Sequence, residues 1–268
     1  VKIPISCNEC HRELTDENPV VDVYGTVLLV SEAGYYEFIC PKGHKTSSVL
    51  NMQKYDLLFT LGVNAFIDYY YREAFVNFSA SLERFYEFAL RVIARSKQID
   101  SDLFEKSWKT VSSQSERQFG AFLFSWLFQE GQFYTEIAHK KIGEMTQLRN
   151  EIVHKGKLAT HEDCREYGQY VVGIIKPIRI ILSNKYKKPY EEEEAAFWKK
   201  ISEKRNKEYT PGGILHIRSA LDSAIEKGFD SSVEAISEWR ECHNTNLKHM
   251  TIICTKIRPY SHFNNENT

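Results

Sequence analysis

Residues 7–10 read CNEC and residues 40–44 read CPKGH. This pair limits the fold more than any other feature, because four ligand-type side chains, Cys7, Cys10, Cys40 and His44, fall in two short segments near the start of the chain. Zinc takes four such sulfur and nitrogen ligands at tetrahedral angles. A two-residue gap lets two thiolates of one tight turn face one ion, and the proline and glycine of CPKGH suit a second turn. Cys164, Cys242 and Cys254 are scattered singly. In a reducing compartment that distribution argues for a metal site plus free thiols, not a disulfide framework. His11, next to Cys10, is a rival fourth ligand. With all four positions filled, a structural zinc is expected, since a catalytic ion keeps an open position.

Between the two segments, VVDVYGTVLLV and YYEFI carry β-branched and aromatic residues around an SEAG turn, which reads as strands. Such strands would bring the two ligand pairs together. A module spanning 1–50 buries little apolar surface by itself, so the ion would supply folding energy. The pattern resembles a zinc ribbon, with one departure: ribbons more often repeat C-x2-C, whereas the second pair here is C-x3-H.

Over 268 residues the chain is 42% hydrophobic and 26% charged, enough apolar material for a sizeable core in one large or two to three small domains. The net charge of −1 gives no global basic field to attract nucleic acid, although a local patch is compatible with it. No apolar run reaches the length of a membrane span. The opening VKIPISCNEC lacks the basic and apolar regions of a signal peptide, so a cytosolic protein is expected, with no membrane partner.

From about residue 55 the pattern turns helical. Phe75, Phe78, Leu82, Phe85, Ala89 and Val92 recur at three- and four-residue steps, the stripe of a long amphipathic helix over 72–95. One or two helices follow over 101–128, where FGAFLFSWLF is apolar enough to be expected buried. Another helical stretch covers 134–154. KGK with Gly156 breaks it, and Thr160-x-x-Asp163 resembles a capping box opening the next helix. Pro177 should kink or end that helix near 176. KYKKPYEEEE over 185–194 reads as a linker or an exposed helix start. Residues 195–242 look helical, interrupted at TPGG and GFDSS, and MTIICTKI over 250–257 suits a strand.

LRNEIVHKG, residues 148–156, poses the functional question. On a helix, Ala138, Ile142, Met145, Leu148, Ile152 and Val153 gather on one face, and Arg149 projects from the middle of that stripe. Asn150 and His154 are four apart on its flank. A guanidinium aimed at a core is costly unless paired and cannot lose its proton. Two arrangements resolve this: a carboxylate from the 72–95 helix, Glu83 or Glu87, or a groove in which Arg149 awaits an anionic ligand. From the residues alone, the first weighs more.

R-N-E-I-V-H resembles the R-x4-6-H signature of the HEPN superfamily (higher eukaryotes and prokaryotes nucleotide-binding), in which a polar residue such as Asn150 commonly follows the arginine. The following break and capped helix, HKGKLATHEDCREYGQYVV, and the earlier SASLERFYEFALRVI helix fit the same pattern, which covers roughly 55–185. The resemblance implies a mainly α protein: a HEPN-like helical bundle over 51–188, preceded by the zinc-ribbon-like module of 1–50 and followed by a mostly helical extension over 189–268. It implies a metal-independent RNA endonuclease in which the RNA 2′-OH attacks the adjacent phosphate, leaving 2′,3′-cyclic phosphate and 5′-OH ends. His154 would act as general acid or base, Arg149 would hold the phosphate, and Asn150 would orient either. One chain offers one motif histidine, so a homodimer is expected. A toxin or antiviral defence role is implied, with an antitoxin or other regulatory partner. The competing reading is a nucleotide- or RNA-binding or dimerisation module that does not cut.

Other residues carry weaker signals. His139, Lys140 and Lys141 read as a solvated face more readily than an RNA contact. Tyr69, Tyr70 and Tyr71 read as packing rather than base stacking. His161 reads as a helix-start residue. Glu191–Glu194 read as a solvated helix N-terminus. Cys242, His243 and Cys254 are too loosely spaced for a second metal site. No surplus carboxylate–histidine cluster supports a metal-dependent hydrolase.

Overall fold

The computed structural model describes residues 2–13, 25–29, 34–50, 52–132, 136–204, 207–215 and 219–253. The protein is mainly helical with small sheets, and divides into two compact units. One comprises 1–51, 201–217 and 239–268, and the other 52–200 and 218–238. The stretch 189–268 is therefore shared between the two.

In the first unit, β1 (Lys2–Ser6) pairs antiparallel with β2 (Gly25–Leu29), and the short helix α1 (Asn8–Arg12) follows β1 directly. β3 (Tyr35–Ile39) and β4 (Lys45–Leu50) form an antiparallel hairpin in which Ile39 lies opposite Lys45. β3 alternates as its sequence asks, with Tyr36 and Phe38 buried and their neighbours more exposed. β5 (Thr210–Leu215) adds to β4 in parallel. The expected interruption of the helices at TPGG takes the form of a strand: β4 offers an edge, and ladder hydrogen bonds to it outweigh weak local propensity.

The second unit is a helical bundle: α2 (Lys54–Ile67), α3 (Tyr71–Ser96), α4 (Ser101–Val111), α5 (Ser115–Glu130), α6 (Glu136–His154), α7 (His161–Lys185), most of α8 (Lys187–Glu203), α9 (Ala220–Lys227) and the first part of α10 (Phe229–Ile253). α3 packs against α2, α5, α6 and α7. Its stripe is the core: Phe75, Phe78, Phe85, Ala89 and Val92 are fully buried, and Leu82 nearly so. Two glycines permit close aromatic seating. A Cβ on Gly62 would meet the Phe78 ring at 2.6 Å, and one on Gly168 would meet Phe229 at 2.3 Å.

Several expectations change. FGAFLFSWLF is buried on one side only: Phe122 and Trp126 pack against the core, while Phe124 is 57% and Phe128 83% exposed. A helix apolar all round has only one face to spend on its neighbours. α7 runs through Pro177 to Lys185, so the proline does not end it. The capping box is present, Thr160 and Asp163 bonding reciprocally. KYKKPYEEEE starts α8, and Glu193 is no solvated residue: its carboxylate pairs with Arg95 at 2.6 Å and is 13% exposed. Tyr69 and Tyr70 are exposed rather than packed, and His161 stacks near Phe66 at 4.8 Å. Residues 250–253 continue α10 as helix, not strand. Cys254 and 255–257 lie outside the described residues, as do the side chains of His11, Ala138, His139, Lys140, Cys242 and His243.

Candidate functional site

The first unit brings Cys7, Cys10, Cys40 and His44 together, with their four ligand atoms all within 4.8 Å of one another. Cys7 lies between β1 and α1, and Cys10 lies one helical turn on, in α1; Cys40 and His44 flank the β3–β4 turn. That turn is closed by Gly43 N–H donating to the Cys40 carbonyl at 2.8 Å and Cys40 N–H donating to the His44 carbonyl at 3.0 Å. Gly43 sits at φ +84°, a conformation that favours glycine.

The spacing suits one tetrahedral ion. Bond lengths of about 2.3 Å to sulfur and 2.0–2.1 Å to nitrogen give ligand–ligand edges of roughly 3.8 Å for two sulfurs and 3.6 Å for sulfur and nitrogen. The Cys10 and Cys40 sulfurs are 3.9 Å apart, and His44 Nδ1 lies 3.5 Å from Cys10 and 3.7 Å from Cys7. These residues lie close enough to bind a metal ion, a geometry compatible with zinc. The far nitrogen, His44 Nε2, faces Glu13 at 3.6 Å, and Glu13 is held by Lys42 at 2.5 Å. A carboxylate behind a ligating histidine fixes its ring and tautomer. Burial pushes the Cys7 thiol up, but hydrogen bonds from Thr46, the Cys10 backbone and His44 outweigh it and bring the thiol down to about 7. That favours the thiolate a metal needs.

The second unit holds the arginine site. Gly156, at φ +74°, ends α6 and turns the chain so that Lys157 N–H reaches the Glu151 carbonyl at 3.1 Å. His154 is therefore the last residue of α6 and is exposed. Met145 and Ile152 are buried on the same helix, and the Arg149 side chain, 14% exposed, projects between them as the stripe requires. One guanidinium nitrogen, Nη1, lies 3.0 Å from Asn150 Oδ1 and 2.9 Å from His154 Nε2. A guanidinium only donates, so in this contact His154 Nε2 stands as the acceptor. Asn150 thus meets Arg149, and Arg149 in turn touches His154.

The structure also supplies the carboxylate that a half-buried guanidinium needs. Arg149 Nη2 donates to Glu83 at 3.2 Å, and Glu116 lies 3.6 Å from Nη1. Glu87, the other candidate, instead joins Arg84 and Arg91. Glu116's own backbone N–H, then the Ser115 hydroxyl and Arg149, hold its carboxyl below the usual range.

Arg149, Glu83 and Glu116 line a small cavity of about 90 Å³, open to solvent and walled by Tyr86, Phe119 and Tyr170 among others. Nothing in the sequence marks these walls: each aromatic reads as core, and Glu116 reads as an acidic helix start.

The chain matches no protein-family model, no curated protein and no solved structure. No helix among the described residues is long and apolar enough to cross a membrane.

Proposed function

We propose that the chain is a metal-independent RNA endonuclease of the HEPN type, acting in a toxin or antiviral defence setting. The observation that supports this is the contact of Arg149, which lines the cavity, with both Asn150 and His154, at 3.0 and 2.9 Å, near the end of α6. Arg149 holds the scissile phosphate and offsets the charge that develops on it. Once the phosphate engages Arg149, His154 Nε2 is released to take the proton of the 2′-OH. That oxygen bonds to phosphorus, the bond to the 5′-oxygen breaks, and the departing oxygen takes a proton from a second general acid. A second copy of the chain supplies that acid through its own motif. The exposed Phe124, Leu127 and Phe128 face of α5 supports such a homodimer, since apolar patches of this kind mark association surfaces.

Cys7, Cys10, Cys40 and His44 hold a structural zinc in this reading, in a zinc-ribbon-like module that recognises substrate or a regulatory partner. The ion supplies folding energy there and takes no part in cleavage.

The test is incubation of the purified, zinc-loaded protein in EDTA with total tRNA and single-stranded RNA, alongside His154→Ala. Cleavage should leave 2′,3′-cyclic phosphate ends, and the variant should lose about 10²–10⁴-fold in rate with an unchanged melting temperature, because His154 is exposed. Equal activity in the variant refutes the mechanism. A second reading, a nucleotide- or RNA-binding module that does not cut, is favoured by one observation: Arg149 already faces Glu83 and Glu116. Tight RNA binding with no product under any condition would select it.

A further inference from the structure

The cavity beside Arg149 has a chemistry that phosphate binding leaves unused. Its walls are aromatic and apolar: Tyr86 and Phe119 stand 5.5 Å apart by ring centroid, and Tyr167 and Tyr170 5.8 Å apart. Its polar end is acidic, because one guanidinium faces two carboxylates, Glu83 and Glu116. Burial pushes the Tyr167 phenol up to about 12, so it stays neutral and adds no charge. An anion placed inside this cavity would meet the carboxylates, so Arg149 engages phosphate from the outer, His154 side. At about 90 Å³ the cavity admits the edge of a flat, weakly polar ring rather than the whole of it, and hydrogen-bond donors on that edge match its acidic end.

We propose that this cavity is a base-reading subsite that takes guanine, with Glu83 as the specificity-determining residue, on the nucleotide whose phosphate Arg149 holds. The inference rests on the ribonuclease reading for its role and on the cavity alone for its ligand. An ionised carboxylate only accepts hydrogen bonds. Guanine presents adjacent N1–H and N2–H donors on its Watson–Crick edge, which pair with the two oxygens of one carboxylate. Uracil presents a single N–H between two carbonyls, both repelled by a carboxylate. Adenine and cytosine each set an amino donor beside an unprotonated ring nitrogen, an acceptor, so they make one of the two bonds. Stacking on the walls holds any base, and the carboxylate chooses among them. A bidentate pair discriminates by roughly ten- to a hundredfold.

The experiment measures binding of guanosine, adenosine, cytidine and uridine 3′-monophosphates to the full, zinc-loaded chain by calorimetry. A single-stranded oligonucleotide with one 2′-deoxyguanosine, which lacks the 2′-OH needed for cleavage, is the second probe. Guanosine 3′-monophosphate should bind at least about tenfold more tightly than the uridine nucleotide. Glu83→Gln should erase that preference, and Thr146→Phe, which fills the cavity mouth from α6 and leaves Glu83 and Arg149 in place, should abolish binding. Equal affinity for all four nucleotides, or none, overturns the inference. Binding of the mononucleotide but not of the oligonucleotide overturns the substrate role and assigns the cavity to free nucleotide. Guanine-selective binding of both probes with no RNA cleavage sustains the subsite and refutes the ribonuclease reading, so the two fail separately.

Discussion

Replacing Asp56 with asparagine should remove a pH dependence from the stability of the helical unit. Asp56 lies in the first turn of α2, is 8% exposed, and accepts a hydrogen bond from Ser219 Oγ at 2.6 Å. Ser219 caps α9, whose Asp222 pairs with Arg179 of α7. Burial, then the nearby Asp222 charge, push the Asp56 carboxyl up to about 7, against the opposing pull of Ser219 and Arg179. The folded state therefore binds a proton more tightly than the unfolded chain, where the carboxyl titrates near its ordinary 3.8. Stability from this group is full below that ordinary value, falls as pH rises through the interval, and levels off above about 7. At about 1.4 kcal/mol per pH unit, the interval corresponds to a loss of about 4 kcal/mol. Urea unfolding of wild type and Asp56→Asn at pH 4 to 8, read by far-UV circular dichroism, tests it. The difference between the two proteins cancels every other titrating group. Asparagine should gain relative stability as pH rises, with most of the gain complete by pH 7. A difference that is flat with pH, or that grows towards acid, would refute the argument that burial dominates at Asp56.

Three further outcomes are expected. Metal analysis of the purified chain should find one zinc per molecule; removing it with a strong chelator, or changing Cys40 to serine, should unfold the first unit while leaving most of the helical signal intact, as circular dichroism with limited proteolysis would show. Gly168→Ala should destabilise the bundle by about 1–3 kcal/mol in denaturant titration, because its Cβ meets a buried ring, and Phe229→Leu should recover part of that loss. Glu116→Gln should tighten binding of inorganic phosphate or RNA by about two- to fivefold in a low-salt titration, the scale of an exposed ion pair.

The parts of the fold readable from sequence are those fixed by local periodicity or fixed spacing. The α3 stripe from Phe75 to Val92 names its own buried face, the Thr160–Asp163 cap marks the start of α7, and the Cys7, Cys10, Cys40 and His44 spacing names the ligand cluster. What could not be read depends on partners distant in the chain. β5 is a strand because β4 offers it an edge. Asp56 looks like an ordinary acidic residue in a first helical turn until Ser219, 163 positions later, covers it. Phe124 and Phe128 sit in a run as apolar as any core helix, and only the position of α3 decides that Phe122 and Trp126 face inward instead. The cavity walls are hidden for the same reason, being built from four helices at once.

Arg149 joins these two kinds of information. Its place in the apolar stripe of α6 requires compensation whatever the chain does, since a guanidinium cannot shed its charge. Glu83 answers that requirement from α3 and is itself only 24% exposed, so it stays with Arg149 as a fixed counter-charge. Glu116 differs: its side chain is 63% exposed and it meets Arg149 at 3.6 Å. An exposed pair of that length contributes little, and under the proposed function a phosphate, which forms shorter charge-assisted bonds, would displace it without disturbing Glu83. The proposed function would therefore divide structural pairing and ligand binding between two nitrogens of one side chain: Nη2 pairs with Glu83, and Nη1, which touches Asn150 and His154, would be the one to meet the phosphate.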